Sequence, residues 1–258
     1  SAMAHPASTQ RFADRVADYR RYRPRYPYAW ARHILEEFRW SAPDWAGKRL
    51  VDVGCGTGFS AAPFLGLGLH VQGLEPNNAM RLAAAEDLEK YLAGGRLRLS
   101  AGTAEHTALP DHCADAVLAG QAFHWFDRNA FAGECRRILD GPGPVLLCWN
   151  DRDTTGDVFH REYEALILRH ATDYTQINHQ NLDAPVFDAF FGKDRWRLHE
   201  LDNLQELDRD GLWGRLISSS YVPSADSPEA RPMREALDAL FDRHAQNGHI
   251  HLRYRLRT

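Results

Sequence analysis

The stretch that decides the fold is LVDVGCGTGFS, residues Leu50 to Ser60. Leu50, Val51 and Val53 favour a β-strand, and glycines then occupy positions 54, 56 and 58 before a helical pattern begins. In α/β proteins, a short strand that breaks into a glycine-rich turn and a helix brings bare backbone against a nucleotide-like ligand. The stretch therefore predicts an α/β fold with a ligand at the end of its first strand.

The spacing of these glycines bears on the kind of ligand. It is GxGxG rather than the GxGxxG of dinucleotide sites, in which a pyrophosphate lies on a helix N-terminus. Asp52 lies two residues before Gly54 and is a suitable acceptor for an ammonium group. We interpret the turn as a site for S-adenosylmethionine, which has an amino acid end and no phosphate. The alternative for Asp52 is that it only orders the turn at the end of the strand.

Two further segments extend the predicted site. Glu75 closes the second predicted strand, where an acidic side chain can accept hydrogen bonds from both ribose hydroxyls, although NAD sites use the same device. Small residues follow the third predicted strand and leave room for a flat base, so the backbone around Thr103 and Ala104 is expected to bond the adenine. Asn77 and Asn78, which follow Glu75, are alternatively caps of the next helix.

The fourth predicted strand ends at GQAFHWF, residues 120–126. In open α/β sheets the crevice beyond the strand ends is where ligands bind, so this aromatic segment is expected to form a wall of the pocket. His124 is a candidate general base, and the alternatives for it are a pocket wall or a structural hydrogen bond. Phe123 and Phe126 are alternatively core residues.

An N-terminal arm rich in arginine and tyrosine, YRRYRPRYP at 19–27, precedes the first predicted helix. Aromatic faces attract cations such as a sulfonium, and an arginine suits a carboxylate. We expect the arm to form a lid, with Tyr19 and Arg23 toward the cofactor and Tyr22 and Tyr26 toward the substrate. The alternative is a solvated arm.

The order of the remaining patterns predicts a parallel sheet with helices between its strands. Strands are predicted at 49–53, 69–74, 96–99, 114–119, 144–149, 196–201 and 249–256, and helices at 27–40, 59–66, 77–92, 128–139, 157–170, 208–218 and 228–246. The polar stretch 172–184 is expected to be irregular. Its residues Tyr174 and His179 are candidates for contact with the substrate, and alternatively belong to a surface loop.

The same patterns divide the chain into three segments of one domain. These are an N-terminal lid and helix at 3–48, a Rossmann-like core at 49–150, and helical cap insertions with the final sheet strands at 151–258. The two late strands are expected to form an antiparallel edge of the sheet.

Composition and charge exclude some classes of partner. The net charge of −4 argues against nucleic acid as the main partner, and no apolar run approaches the roughly 18 residues of a membrane helix. No signal peptide is recognised. The four cysteines are widely spaced, so we expect no disulfide, no zinc and a reducing, cytoplasmic location. His249 and His251 share a strand face without a third ligand nearby, and no metal site is expected.

Several motifs together resemble a known family: VDVGCGTG, LEPNNAM, GTAEHTALP, QAFHWFD and YRRYRPRYP, with SSSYVP and LRYRLRT later in the chain. With them the chain resembles the class I S-adenosylmethionine-dependent methyltransferases, and within these the small-molecule group, methyltransferase type 11, that is similar to trans-aconitate methyltransferase. The resemblance implies a Rossmann-like seven-stranded sheet, mostly parallel with its last strand antiparallel. It also implies helices on both faces, an N-terminal lid and a helical cap.

With the resemblance, the set of expected site residues is complete. The cofactor is expected to lie against Tyr19, Arg23, Asp52, Gly54, Cys55, Gly56, Glu75, Pro76, Thr103, Ala104, Glu105 and Gln121. The substrate is expected to contact Tyr22, Tyr26, His124, Trp125, Tyr174 and His179. A hydroxyl or ring-nitrogen acceptor would need a base, for which His124 and His179 are the candidates.

The leading hypothesis is in-line methyl transfer to a small-molecule metabolite by a monomer or weak homodimer that binds neither nucleic acid nor membrane. Three other hypotheses stay open: an NAD-dependent oxidoreductase, an RNA or protein methyltransferase, and a cofactor-binding protein without catalysis. The GxGxG spacing argues against the first, and the acidic net charge argues against RNA.

Overall fold

The structure is a computed structural model of the 258-residue chain, and it describes residues 16–38, 40, 45–172 and 182–258. The chain divides into two compact units. The core unit comprises Arg25–Asn150, Asn181–Leu201 and Leu256–Thr258, and the helical unit comprises Ser1–Pro24, Asp151–Gln180 and Asp202–Arg255. The division into segments at 48 and 150 stays a prediction.

Within the described residues, seven strands form one sheet. They are β1 (Arg49–Val53), β2 (His70–Leu74), β3 (Leu97–Ser100), β4 (Ala116–Gly120), β5 (Val145–Arg152), β6 (Glu200–Leu207) and β7 (Ile250–Arg257). Their order across the sheet is β3-β2-β1-β4-β5-β7-β6. The pairs from β3 to β5 are parallel, and Asp52 of β1 is level with Gly73 of β2 and Leu118 of β4.

The last strand runs against its neighbour. His199 and Thr258, which directly precede β6 and directly follow β7, exchange two backbone hydrogen bonds of 2.8 Å. Such a reciprocal pair occurs between antiparallel strands. The expected mixed sheet, mostly parallel with its last strand antiparallel, is therefore confirmed.

The helices alternate with the strands. They are α1 (Tyr28–Glu37), α2 (Ala61–Gly66), α3 (Asn78–Asp87), α4 (Glu89–Ala93), α5 (Arg128–Ile138), α6 (Val158–His170), α7 (Ala184–Phe191), α8 (Arg209–Ile217) and α9 (Ala230–His244), and residues 16–22 are also helical. Asn77, Asp127, Asp157 and Asp208 cap four of them by accepting a backbone N–H three residues on. In the part of the chain that the structure describes, no helix has both the length and the apolar character needed to cross a membrane.

Two predicted elements differ from the structure in more than their end residues, and one helix lies where none is predicted. The helix predicted at 77–92 is interrupted at Leu88, whose φ of −116° and ψ of 25° leave the helical region. The strand predicted at 196–201 is wrong in position, because β6 runs from Glu200 to Leu207 and alternates between half-buried and exposed residues without a strong apolar face. Helix α7 was not predicted. It follows a polar stretch and carries a proline in its first turn, a position that proline tolerates.

Each unit has a core of its own. Strand β1 is buried from Leu50 to Val53, as expected of a parallel strand covered on both faces. Phe123 is fully buried among Phe131, Trp149 and Phe190, with ring centroids 5.0 to 6.5 Å away, so the core alternative for Phe123 is correct. In the helical unit, α6, α8 and α9 pack with the buried face of β7.

Candidate functional site

The glycine turn after β1 has the backbone that its sequence requires. Gly54, Gly56 and Gly58 have φ values of 68°, 56° and 91°, in the left-handed region where a side chain is strained. A Cβ on Gly54 would lie 3.0 Å from the Cβ of Ala122. The turn therefore presents bare backbone at the carboxyl end of β1.

Glu75 ties this turn to the end of β2. Its Oε1 accepts a hydrogen bond from the Gly56 amide at 3.0 Å, and its Oε2 accepts one from the Asn77 amide at 2.8 Å. The side chain of Asn77 in turn accepts the Met80 amide at 3.0 Å, so the cap alternative for Asn77 is correct. Pro76 lies between the two bonded residues. The carboxylate of Glu75 fixes the turn and keeps lone pairs for a ligand.

Asp52 is a buried carboxyl group with an unused oxygen. It is 0% exposed, and its Oδ2 accepts the Ser60 hydroxyl at 2.7 Å. Its Oδ1 has no hydrogen-bond partner among the described residues. Burial raises the pKa of Asp52 to about 7, the bond from Ser60 lowers it, and the nearby charge of Glu75 raises it. Because a buried polar atom is normally bonded, Oδ1 indicates a place for a donor or a cation.

Cys55 lies inside the turn and packs rather than reacts. Its amide donates to the carbonyl of Leu74 at 2.9 Å, and its side chain is buried. Burial, followed by the charges of Asp52 and Glu75, holds the pKa of its thiol well above the ordinary value. The thiol is therefore neutral, and a cofactor contact by Cys55 stays a prediction.

Hydrogen bonds at Thr103 and at Glu105 fix the loop that follows β3. Thr103 bonds His106 twice, through its amide and through its hydroxyl oxygen, at 3.0 and 3.1 Å. Ala104 is buried, and the Oε1 of Glu105 accepts the Asp127 amide at the start of α5 at 2.9 Å. These bonds hold the small residues of the loop beyond the strand end.

Gln121, the residue after β4, has a φ of 58°. Non-glycine residues in this region are strained and cluster at ligand sites. Its amide donates to the Cys148 carbonyl at 2.8 Å, and its Oε1 accepts the Tyr26 hydroxyl at 3.0 Å. Tyr26 is buried against Trp30, with ring centroids 5.0 Å apart. The end of the N-terminal arm is thereby held to the end of β4.

The aromatic segment that follows is a short 3₁₀ helix, Phe123–Trp125. Its three side chains have different environments. Phe123 is in the core, Trp125 is 65% exposed, and the His124 ring is partly buried with its centroid 4.6 Å from that of Trp125. A large exposed aromatic beside a histidine is suited to contact a ligand.

Adjacent strands bring these groups to one edge of the sheet. The order β2-β1-β4 places Glu75, the glycine turn and Gln121 at neighbouring carboxyl ends. The chain leaves β1 toward β2 and later returns to β4 on its other side, which makes a topological switch point. Ligands of open α/β sheets bind in the crevice at such a point.

Residues 51–147 match the family model of the methyltransferase domain. This stretch contains the site described above from Asp52 to Trp125. Over these residues the chain is similar to methyltransferases of this family.

Two relatives that match this chain in sequence have names that describe them as methyltransferases. An uncharacterized methyltransferase of Mycobacterium tuberculosis is 34% identical over 142 residues, which cover 55% of this chain and 53% of the relative. A ubiquinone biosynthesis O-methyltransferase of Rhodopseudomonas palustris is 32% identical over 110 residues, which cover 42% of each chain. The chain spans about half the length of the first of these relatives and less of the second.

Solved structures extend the likeness in fold to most of the chain. A protein of Anaeromyxobacter dehalogenans that is provisionally assigned as a type II methyltransferase has a TM-score of 0.60 and 23% identity, with 91% of this chain and 95% of that chain covered. The YcgJ protein of Bacillus subtilis has a TM-score of 0.50 and 19% identity, with 87% and 97% covered. These likenesses confirm the Rossmann-like architecture that the sequence predicts.

Three predicted residues of the arm, Tyr19, Tyr22 and Arg23, belong to the helical unit, whereas Tyr26 belongs to the core unit. The guanidinium of Arg23 lies 5.0 Å from the centroid of the Tyr19 ring. The carbonyl of Tyr22 accepts a hydrogen bond from Gln205 at 2.7 Å, and its ring packs on Gly214 of α8. Tyr174 and His179 lie outside the described residues. Roles for Tyr19, Tyr22 and Arg23 in binding stay predictions.

The packing of Tyr22 gives a stability test. A Cβ on Gly214 would lie 2.2 Å from the Tyr22 ring, so Gly214→Ala must displace the ring and is expected to lower the free energy of unfolding by about 1–3 kcal/mol. Gly133→Ala is the matched control, because Gly133 is helical and nothing lies within 4 Å of its added Cβ. It is expected to stabilise by about 0.5–1 kcal/mol. Equal urea midpoints for the two variants would show that Tyr22 does not pack there.

Sequence reasoning missed the partner of Asp52 and several buried groups of the helical unit. Ser60 ends the quoted stretch, and its position eight residues after Asp52 carries no recognised motif. Arg152 lies in β5 and Arg215 lies in α8, and only the burial of their side chains distinguishes them from other arginines of the chain. The motif SSSYVP, which contains Ser219 and Tyr221, contributes to the family resemblance but does not indicate that these groups are buried.

Proposed function

We propose that the protein transfers a methyl group from S-adenosylmethionine to a small-molecule acceptor. The observation that carries the proposal is the unused Oδ1 of buried Asp52, beside a glycine turn that Glu75 holds open. An ammonium group on Oδ1 would supply the missing donor and the missing counter-charge together. The methyltransferase domain supports this choice of ligand, since members of that family use S-adenosylmethionine.

The residues present fit this cofactor in three places. Asp52 is suited to its ammonium group, Glu75 to its ribose hydroxyls, and the backbone at Thr103 and Ala104 to its adenine. Gly54 and Gly56 leave the backbone bare where the amino acid end would lie. When bound, S-adenosylmethionine supplies a methyl group that its sulfonium has already activated.

The chain then has to bind, orient and exclude water. The Tyr26–Gln121 hydrogen bond and the Phe123 core hold the wall beside the site rigid. Alignment of reacting groups contributes on the order of 7–11 kcal/mol in well-oriented systems. Such a reaction needs no covalent bond to the protein, which agrees with the neutral, buried thiol of Cys55.

A small molecule is favoured over RNA by the charge of the chain. The net charge is −4, whereas RNA-binding surfaces need an excess of lysine and arginine. Trp125 is exposed beside His124. One exposed aromatic side chain suits contact with a single small ligand rather than with an extended polymer.

Calorimetric titration with S-adenosylmethionine, S-adenosylhomocysteine and NAD tests the cofactor. We expect the first two to bind and NAD to give no heat. Incubation with methyl-labelled S-adenosylmethionine and metabolite or RNA fractions then tests the acceptor, and we expect label in the small-molecule fraction. Binding of NAD alone, or label only in RNA, would contradict the proposal.

His124→Ala tests the proposed base. With an acceptor identified by the labelling experiment, we expect turnover to fall about 100-fold or more and the dissociation constant of S-adenosylhomocysteine to stay within about twofold. His70→Ala is the control, since His70 is exposed at the opposite end of β2. Equal loss of turnover and cofactor affinity would remove His124 from catalysis, and no effect would make its role structural.

A further inference from the structure

Ser60 directly precedes α2, but its side chain does not cap that helix. Serine is one of the residues preferred at a helix N-cap, where its oxygen usually accepts a backbone N–H of the first turn. No such bond forms at Ser60, whose φ of −72° and ψ of −32° are already helical. The hydroxyl donates instead to Oδ2 of Asp52 at 2.7 Å. The serine therefore serves a residue of β1 and not its own helix.

The surroundings of Ser60 leave its hydroxyl little freedom. The residue is buried and lies against the backbone at the end of β4. A Cβ on Gly120 would be 3.2 Å from the Cβ of Ser60 and 3.3 Å from its Oγ, which is tighter than ordinary van der Waals contact. Glycine at position 120 thus leaves room for this side chain. Ser60 joins the start of α2 to the carboxyl ends of β1 and β4, all within the core unit.

The carboxylate of Asp52 needs a partner to set its direction. The last torsion of an aspartate side chain has a broad, twofold preference, so this torsion alone does not determine where the two oxygens point. Because both oxygens are attached to one carbon, the bond from Ser60 to Oδ2 also fixes the direction of Oδ1. Asp52 is buried, and its Oδ1 has no hydrogen-bond partner within the described chain. The serine thus determines where the unused oxygen points.

Ser60 also opposes the other influences on the Asp52 carboxyl. Burial, the largest of them, raises the pKa of Asp52, as does the charge of Glu75 at the end of β2, whereas the bond from Ser60 lowers it. The thiols of Cys55 and Cys148 also interact with Asp52, and burial raises the pKa of each, so both are neutral near pH 7. In the part of the chain that the structure describes, the Ser60 hydroxyl is the group that favours an ionised Asp52.

We propose that Ser60 is a positioning residue for the methyl donor, and that its hydroxyl turns the Asp52 carboxylate so that Oδ1 faces the ammonium group of the ligand. This inference rests on the proposed function, which assigns that ammonium to Oδ1. Ser60 acts through Asp52 rather than on the ligand, because its single O–H is already donated. It contributes to binding both by orienting the carboxylate and by keeping it charged.

The alternative is that Ser60 only secures the start of α2. The two roles predict different effects of pH on ligand binding. If Ser60 serves Asp52, its removal leaves a carboxyl that ionises at higher pH, and an ammonium ligand binds the ionised fraction. If Ser60 serves the helix, its removal weakens binding by the same factor at every pH.

The test compares Ser60→Ala with the parent in calorimetric titrations of the full chain with S-adenosylhomocysteine at pH 7 and pH 8.5. We expect the variant to bind about tenfold more weakly at pH 7, because loss of a hydrogen bond to a charged group shifts its ionisation by about one pH unit or more. At pH 8.5, where most of the carboxyl is ionised in both proteins, the difference should shrink to about threefold or less. An equal ratio at both pH values would overturn the inference.

The unliganded proteins give a second readout. The carboxyl carbon-13 resonance of Asp52, assigned by its absence from Asp52→Asn, follows the ionisation of the group. Its titration midpoint should be about one pH unit higher in Ser60→Ala than in the parent, and an unchanged midpoint would overturn the inference. Ser60→Cys, whose thiol is a weak donor, should move the midpoint in the same direction by less. It replaces Ser60→Ala if that variant does not fold.

A double substitution shows whether the serine acts through the charge of Asp52. The Asp52→Asn side chain is uncharged, so the addition of Ser60→Ala to it should change the affinity for S-adenosylhomocysteine by no more than about twofold. A further tenfold loss in that background would overturn the inference, because Ser60 would then act without the carboxylate.

Ser227→Ala is the matched control. It removes a hydroxyl that donates at 2.7 Å to the Ser224 carbonyl in the helical unit, and it should leave the affinity unchanged at both pH values. Failure of S-adenosylhomocysteine to bind the parent would instead refute the proposed function. The titration of Asp52 needs no ligand, so the two failures are distinguishable.

Discussion

Asp52→Asn is expected to weaken the binding of S-adenosylhomocysteine by about 100-fold or more. The substitution keeps the shape of the side chain and an acceptor for Ser60, but it removes the charge that would face the ligand ammonium. Loss of one partner of a buried ion pair costs about 3–5 kcal/mol, which corresponds to roughly 10²–10³ in the dissociation constant. Calorimetric titration of the two proteins measures the difference.

The control for this variant is Asp115→Asn. Asp115 lies just before β4, at the amino ends of the strands and away from the proposed ligand site, and pairs with Arg49 at 3.1 Å. It should leave the affinity within about twofold. Adenosine provides a second control, because it lacks the amino acid end. If Asp52→Asn weakened adenosine as much as S-adenosylhomocysteine, Asp52 would be acting through the shape of the turn and not through charge.

The raised pKa of Asp52 adds a pH signature. The pKa is about 7 in the folded chain against an ordinary 3.8, so the unliganded protein holds a proton there that the unfolded chain releases. Stability from this group is full below pH 3.8 and is lost as pH rises toward 7, by on the order of 4 kcal/mol relative to Asp52→Asn. An ammonium ligand favours the ionised form, so affinity should rise between pH 5.5 and 7.5 in the parent only.

Glu75→Ala is expected to reduce both stability and cofactor affinity. It removes the acceptor of two backbone amides, those of Gly56 and Asn77. Hydrogen bonds to charged groups contribute about 1.5–3 kcal/mol each, so the free energy of unfolding should fall by about 2–4 kcal/mol. The proposed ribose contact would be lost as well, and S-adenosylhomocysteine should bind about 100-fold more weakly. Urea denaturation and calorimetry measure the two effects.

Adenosine separates the roles of the two acidic residues. Glu75→Ala should weaken adenosine and S-adenosylhomocysteine alike, because both carry the ribose, whereas Asp52→Asn should spare adenosine. Glu36→Ala, on the exposed face of α1, is the control for removal of a glutamate. Unchanged adenosine affinity in Glu75→Ala would show that the carboxylate serves the turn and not the ligand.

Sequence reasoning succeeded where a local rule determines the structure. The strand predicted at 49–53 follows from its β-branched residues. The turn follows from glycines at positions where the backbone has a positive φ. Both signals come from residues that are neighbours along the chain. Asn77 marks a helix start for the same reason. The carboxyl-end positions of Asp52, Glu75 and Gln121 follow from strand order, which alternating elements predict.

It failed where the information lies in contacts between distant residues. Strand β6 has no strong apolar face to set its bounds, and helix α7 has a short sequence that suits several structures. The bond between Tyr26 and Gln121 joins residues 95 positions apart, and no periodicity reveals it. The burial of Arg215 depends on packing from several elements, which spacing along the chain does not record.

The close approach of Gly54 and Ala122 sets a limit on how this site can change. A side chain on Gly54 would meet the Cβ of Ala122 at 3.0 Å, so the loops after β1 and β4 share one small volume. A larger residue at either position would push the other loop away from the ligand. The two positions should therefore vary together among relatives, and a relative with a bulky residue at position 122 should have a different turn at position 54.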